Sequence, residues 1–198
     1  MTEHELTRRR LLALGLAIPP LAALAGSDLF AGELLAATPA IADDDDPTPA
    51  QTEGPYFTPN SPLRRSIIPA RAAGTRLTLT GRVLTTAGRP AARALVDFWQ
   101  CDASGAYDNS GFRFRGHQFT DANGRYALTT VVPGLYPGRT KHIHVKVQRR
   151  GGAVLTTQLY FPGVARNSSD RIFQSALLLQ SWRKVGTRRA ARFDFVLA

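Results

Sequence analysis

The sequence predicts a mostly β fold whose core is a β-sandwich. Three observations lead there. From residue 75 onward the chain breaks into short runs rich in Val, Leu, Thr, Tyr and Phe, turn signals separate those runs, and no long stretch carries the helical period. With 198 residues, 43% of them hydrophobic and 20% charged, the chain is long enough for one domain with its own core.

The first segment, "TRRRLLALGLAIPPLAALAG", joins the cluster Arg8, Arg9 and Arg10 to a modest apolar run that ends in small residues. This is a signal-peptide pattern rather than a membrane span. Residues 7–12 match the twin-arginine motif, which implies export of a folded protein to an extracellular or periplasmic location. Residues 1–42 are read as this leader, with cleavage after Ala25 or after Ala42. No cysteine lies near either site, so no lipoprotein anchor and no stable membrane attachment are expected. Residues 26–50 lack Lys and Arg, contain the run Asp43 to Asp46 and are rich in Ala, Pro and Thr, which marks a linker. The folded domain is expected over residues 51–198.

Within that domain the strand candidates are "RLTLTGRVL", "ALVDFWQC", "RGHQFT", "RYALTTVV", "HIHVKVQ", "VLTTQLYF" and "RFDFVLA". Asn123-Gly124 predicts a hairpin, and Gly88, Gly151 and Gly152 mark other turns. Trp182, Phe193, Phe195, Tyr126 and Tyr160 read as packing residues. Cys101, the only cysteine, reads as a small buried residue; it excludes an intrachain disulfide and any cysteine-based zinc motif. The first 46 residues hold three Arg and eight acidic side chains, so 22 of the 25 basic and 7 of the 15 acidic groups remain beyond them. A domain near +15 attracts anionic substrates, and a solvated surface explains the charge equally well. No nucleic-acid partner is expected.

The run "HIHVKV" carries the chemistry. In a strand, alternation places His142, His144 and Lys146 on one face and Ile143, Val145 and Val147 on the other. The apolar face suits a core, and two imidazoles on the opposite face can converge on one cation. A carboxylate ligand shortly after His144 is excluded, because residues 145–169 contain neither Asp nor Glu. His117, in "RGHQFT", can complete a three-histidine zinc site of hydrolase type. Alternatively Tyr107 and Tyr136, each placed where a loop leaves a strand, offer phenolates, hard anionic donors that suit Fe(III).

The stretch "LTGRVLTTAGRPAARALVDFWQCDASGAY", followed by "FRGHQFTDANGRY", "VVPGLYPGRTKHIHVKV" and "TTQLYF", resembles the intradiol ring-cleavage dioxygenases, most closely their secreted bacterial branch. Several spaced motifs agree in order over roughly residues 52–175. The resemblance implies a β-sandwich and a non-haem Fe(III) centre with Tyr107, Tyr136, His142 and His144 as ligands, Tyr136 and His144 forming the axial pair. It implies cleavage of catecholic rings by O2, between the two hydroxyl-bearing carbons, to muconate-type products. By position, Arg139 matches an arginine beside the bound substrate, Gln158 a glutamine behind the ligands, and Gly54-Pro55-Tyr56 the pocket mouth. Two tyrosinates and a hydroxide balance the charge of Fe(III). Only five residues separate Tyr136 from His142, fewer than in the cytoplasmic catechol and protocatechuate enzymes, and Leu135 stands where the secreted branch often has Trp. Both departures bear on substrate choice, and the basic domain is expected to favour carboxylated rings. Some 50 residues ahead of the core leave no room for the helical dimerisation domain of catechol 1,2-dioxygenases, so a dimer of that type is not expected. A catalytically inactive extracellular sandwich that binds aromatic or polyanionic material is the contrasting reading.

Overall fold

The computed structural model describes residues 46–198. The leader, its two cleavage sites and the linker up to residue 45 lie outside the described residues.

Among the described residues nine strands follow one another: β1 Arg76–Thr85, β2 Leu95–Trp99, β3 Arg115–Phe119, β4 Arg125–Val131, β5 His142–Gln148, β6 Val154–Tyr160, β7 Gln180–Val185, β8 Arg188–Arg192 and β9 Phe195–Leu197. The only helical pieces among the described residues are two single 3₁₀ turns between β6 and β7. One sheet runs β4-β1-β8-β7, with β9 pairing parallel to the far end of β1; the other runs β3-β2-β5-β6 and is antiparallel throughout. Their inner faces form the sandwich core. Leu77, Leu79 and Val83 from β1, Leu128 from β4, Val96 and Phe98 from β2, and Ile143, Val145 and Val147 from β5 are completely buried. The alternation read from the sequence is therefore the alternation that packs, and burial of these apolar side chains is the main stabilising term. No helix among the described residues is long and apolar enough to cross a membrane.

Three features differ from the sequence reading. Asn123-Gly124 does form a tight turn, with the Gly124 N–H donating to the Asp121 carbonyl, but it joins β3 to β4, which belong to different sheets. The turn chemistry is right and the hairpin is absent, because core packing assigns the two strands to opposite layers. Strands β7 and β8 were missed. Their basic, largely exposed sequences lack a clean apolar alternation, and a two-residue Gly186-Thr187 turn with Gly186 at φ +58° joins them. Charge of this kind is how an edge strand such as β7 avoids further pairing. Finally, Thr48 and Pro49, placed in the linker by composition, are bonded into the sandwich. The Thr48 N–H donates to the Val196 carbonyl at 3.0 Å, and the Thr157 hydroxyl donates to the Pro49 carbonyl at 2.7 Å.

Candidate metal centre

The outer face of the β3-β2-β5-β6 sheet would be wet if nothing covered it. Residues 46–64 cross it as an irregular segment with a turn at residues 55–56. Gln51 donates its N–H to the Thr156 carbonyl, Phe57 packs edge-on against Trp99 at 5.0 Å, and the Ser61 hydroxyl donates to Asp97. Lys146 reaches over the Phe57 ring and pairs with Glu53. This cover turns an outward-facing strand into a dry pocket, in which His142 and His144 are only 2% and 3% exposed.

Register then sets the rows of the site. Trp99, His144 and Gln158 are cross-strand partners, and His142 pairs with Tyr160 in the next row. The Trp99 ring stacks on His144 at 4.8 Å and 6°. His142 donates from Nδ1 to the Thr140 carbonyl at 2.7 Å, which leaves its Nε2 lone pair free, and that atom lies 3.1 Å from His144 Nε2 and 3.2 Å from the Tyr107 hydroxyl. Burial presses both rings toward the neutral form: His142 is pushed down to about 4, and His144 falls well below its ordinary value, first through burial and then through His142 and nearby arginines.

Two loops carry the tyrosines. Asp102 organises the first, accepting from the N–H groups of Ser104 at 2.8 Å and Ala106 at 3.0 Å, so that Tyr107 leaves the turn toward the histidines. Tyr136 lies on the loop after β4, and the two loops touch backbone to backbone. Gly134 donates its N–H to the Asp102 carbonyl at 2.8 Å, and a Cβ on Gly105 would lie 2.2 Å from the Leu135 carbonyl oxygen. Gly105 also holds φ +94°, a conformation that side chains resist. Gly105→Ala is therefore expected to separate the two tyrosine loops, lowering both the melting temperature and the metal content of the purified protein. Unchanged values of both would show that the loops do not depend on this approach.

Tyr56 wedges between the tyrosines, stacked on Tyr107 at 4.5 Å with its hydroxyl 2.8 Å from that of Tyr136. The hydrogen bond to Tyr136 raises the Tyr56 phenol above its ordinary value, and burial raises that of Tyr107. Buried Arg115, unnoticed in the sequence, ties this wedge down by donating to the carbonyls of Tyr56 and Asp108.

The donor set fits a ferric ion. Two neutral imidazole nitrogens 3.1 Å apart have the separation of two ligands about 2.1 Å from one cation at nearly a right angle, and the Tyr107 oxygen stands at an equivalent distance. Tyr136, Tyr107 and His144 converge through ring contacts at 5.7 and 6.3 Å.

Arg139 reaches the same pocket on a short arm. Its Nε donates to Asp170 at 2.9 Å, and its Nη2 donates to Gln158 Oε1 at 2.7 Å. Gln158 in turn donates to the Thr52 carbonyl. Gln158 thus acts through Arg139, as a positioning residue. Asp170, which sequence reasoning missed, also accepts from the Thr140 and Ile172 N–H groups; burial opposes its charge, but these bonds hold its carboxyl below the usual range. Tyr160 is a packing residue with a second task, since its hydroxyl joins Gln51, Gln158 and the Ile172 carbonyl. Gly54 lines the site, a Cβ there falling 3.4 Å from His144, while Pro55 is exposed beside it.

His117 does not join the pair. It lies in the row of Asp97 and Lys146, two strands from β5, and its Nδ1 donates to the Ser61 carbonyl at 2.6 Å. Among the described residues no three His, Cys, Asp or Glu side chains converge, so the three-histidine zinc site is not assembled.

The depressed His142 carries a pH consequence. Below about pH 6.5 the unfolded chain takes up a proton that His142 in the folded, metal-free site refuses until about pH 4, so stability falls as pH falls through that window, by about 3 kcal/mol from His142 alone. Melting of metal-free protein from pH 6.5 to 5, above the range where carboxylates titrate, should show the decline, and His142→Gln should lessen it, the depressed His144 supplying the remainder.

A family model described as Dioxygenase matches residues 52–198. The protocatechuate 3,4-dioxygenase beta chain of Burkholderia cepacia is 38% identical over 119 residues, covering 51% of this chain and 51% of that one. Chlorocatechol 1,2-dioxygenase of Pseudomonas sp. (strain P51) is 32% identical over 138 residues, covering 56% and 54%. The chain spans about half the length of these curated relatives. Among solved structures, the dioxygenase domain of a dioxygenase carbohydrate-binding protein fusion from Streptomyces sp. SirexAA-E is 56% identical, with a TM-score of 0.75 over 77% of this chain and 98% of that one.

Proposed function

The chain belongs to the intradiol ring-cleavage dioxygenase family, and on that premise we propose that residues 51–198 form a non-haem Fe(III) enzyme that opens catecholic rings between their two hydroxyl-bearing carbons. One observation carries the reading: Tyr107, Tyr136, His142 and His144 meet in one dry pocket, with neutral imidazoles and no neighbouring carboxylate ligand. Such a set of two anionic oxygens and two nitrogens suits a ferric ion better than the ferrous two-histidine, one-carboxylate arrangement.

Bound there, Fe(III) would lower the pKa of both phenols and activate a chelated catecholate toward O2. The chain's own residues do the rest. Tyr107, clamped under the Tyr56 ring, remains a fixed ligand. Tyr136 is the movable one: its oxygen has a ready partner in the Tyr56 hydroxyl 2.8 Å away, so it can take one catechol proton and be held as a neutral phenol. The other catechol proton would pass to a hydroxide supplied with the metal. Arg139, fixed by Asp170 and Gln158, supplies positive charge as negative charge grows on the substrate. Both atoms of O2 enter the muconate, so no external reductant is required.

Metal analysis of the purified protein tests the proposal. Stoichiometric iron with a red-brown tyrosinate band is expected. A colourless protein, or one holding zinc in its place, would leave the inactive aromatic-binding sandwich as the better reading.

A further inference from the structure

The opposite face of the sandwich holds a second concave site. On β1 the residues Leu77, Leu79 and Val83 point into the core, so Thr80 and Arg82 point outward. There a cavity of about 400 Å³ has Thr80 and Ala127 as a floor of short, cross-strand-paired side chains, with Arg65, Arg82, Arg125 and Arg192 around it.

Two of these arginines are placed against a simple rule. Arg82 and Arg125 are direct cross-strand partners on the antiparallel β1–β4 pair, and like charges directly opposite destabilise a sheet. No ion pair relieves them directly, although Asp121, which also lines the cavity, attracts Arg65 and Arg125 from beyond ion-pair distance. The ion pairs among the described residues join Arg139 to Asp170, Lys146 to Glu53 and Arg192 to Asp194, so Arg65, Arg82 and Arg125 have none. Asp194 is engaged by Arg192, at 2.6 and 3.2 Å, and by the backbone N–H of Arg82. Asp121 spends one carboxylate oxygen on the N–H groups of its own turn, from Asn123 and Arg125. Four arginines against one lining carboxylate leave a positive excess, and a local cost only partly offset inside the chain points to a function outside it.

We propose that this cavity binds a small organic dianion of the dicarboxylate class. Two guanidinium forks projecting from neighbouring strands match two carboxylates, each in charge-assisted contact. The volume lies in the range of small-molecule sites and is more than one tetrahedral oxyanion needs. The assignment stands on the arginines and not on the reaction proposed for the metal centre, although a muconate belongs to the same ligand class.

Calorimetric titration of the full chain with succinate and with cis,cis-muconate tests it, against sodium sulfate and against sodium chloride at matched ionic strength. Saturable binding of the dicarboxylates is expected, weaker by about tenfold or more for each arginine removed in Arg82→Gln and Arg125→Gln. Sulfate should bind more weakly, and ring cleavage by the double variant should be unchanged. Without ligand, the double variant should melt no lower than the parent, since an opposed pair of like charges is gone. Binding retained in the double variant, a response that chloride reproduces, sulfate binding as tightly as succinate, or a lower melting temperature of the ligand-free variant would each overturn the proposal.

Discussion

Tyr107→Phe is expected to remove the visible band and to lower ring-cleaving turnover by more than about a hundredfold, the upper range for changes that only support a ligand. Phenylalanine preserves the ring that stacks on Tyr56 at 4.5 Å, so the loop and the pocket remain. What disappears is an oxygen 3.2 Å from His142 Nε2 and, in the loaded site, one negative charge. Two tyrosinates and a hydroxide neutralise Fe(III); one tyrosinate leaves net positive charge in a pocket whose histidines are nearly inaccessible, where unbalanced charge is costly. Iron stoichiometry should fall with the band, and His142→Ala should behave alike. His117→Ala should keep both, because its ring bonds to Ser61 and not to the centre. A Tyr107→Phe protein with full iron and parental turnover would remove Tyr107 from the ligand set.

Arg139→Gln should retain iron yet lose about two to three orders of magnitude in turnover, the scale set by removal of one preorganised charge-stabilising group. The guanidinium is held from two sides, by Asp170 at 2.9 Å and Gln158 at 2.7 Å, and neither contact involves a metal-ligand atom. Asp170→Asn should give a smaller loss in the same direction: an amide oxygen can still accept from the Thr140 N–H, but the charged partner of Arg139 is gone. Visible spectra separate this outcome from loss of metal. If Arg139→Gln loses iron together with activity, the arginine is structural and its electrostatic role is refuted.

The parts legible in the sequence are those that depend on local period and spacing. Strand alternation placed His142 and His144 on one face and Ile143, Val145 and Val147 in the core, and the family motifs named the two tyrosines. What stayed hidden depends on contacts distant in sequence. Nothing local marks residues 46–64 as the cover that dries the histidines, because an irregular segment bonded to a sheet face carries no period of its own. Asp170 looks like an ordinary turn aspartate until the fold brings it to Arg139 and Thr140. Arg115 sits among other arginines, and only burial distinguishes it. Asn123-Gly124 specifies a turn correctly but cannot specify that the strands on either side enter different sheets.

The most direct test is product identification with the iron-loaded protein, catechol and O2, following oxygen uptake and the ultraviolet spectrum together. The ferric two-tyrosine, two-histidine centre predicts one O2 consumed per ring and a colourless cis,cis-muconate, with no added reductant. A yellow semialdehyde, or no oxygen uptake by protein that carries its full complement of iron, would contradict it.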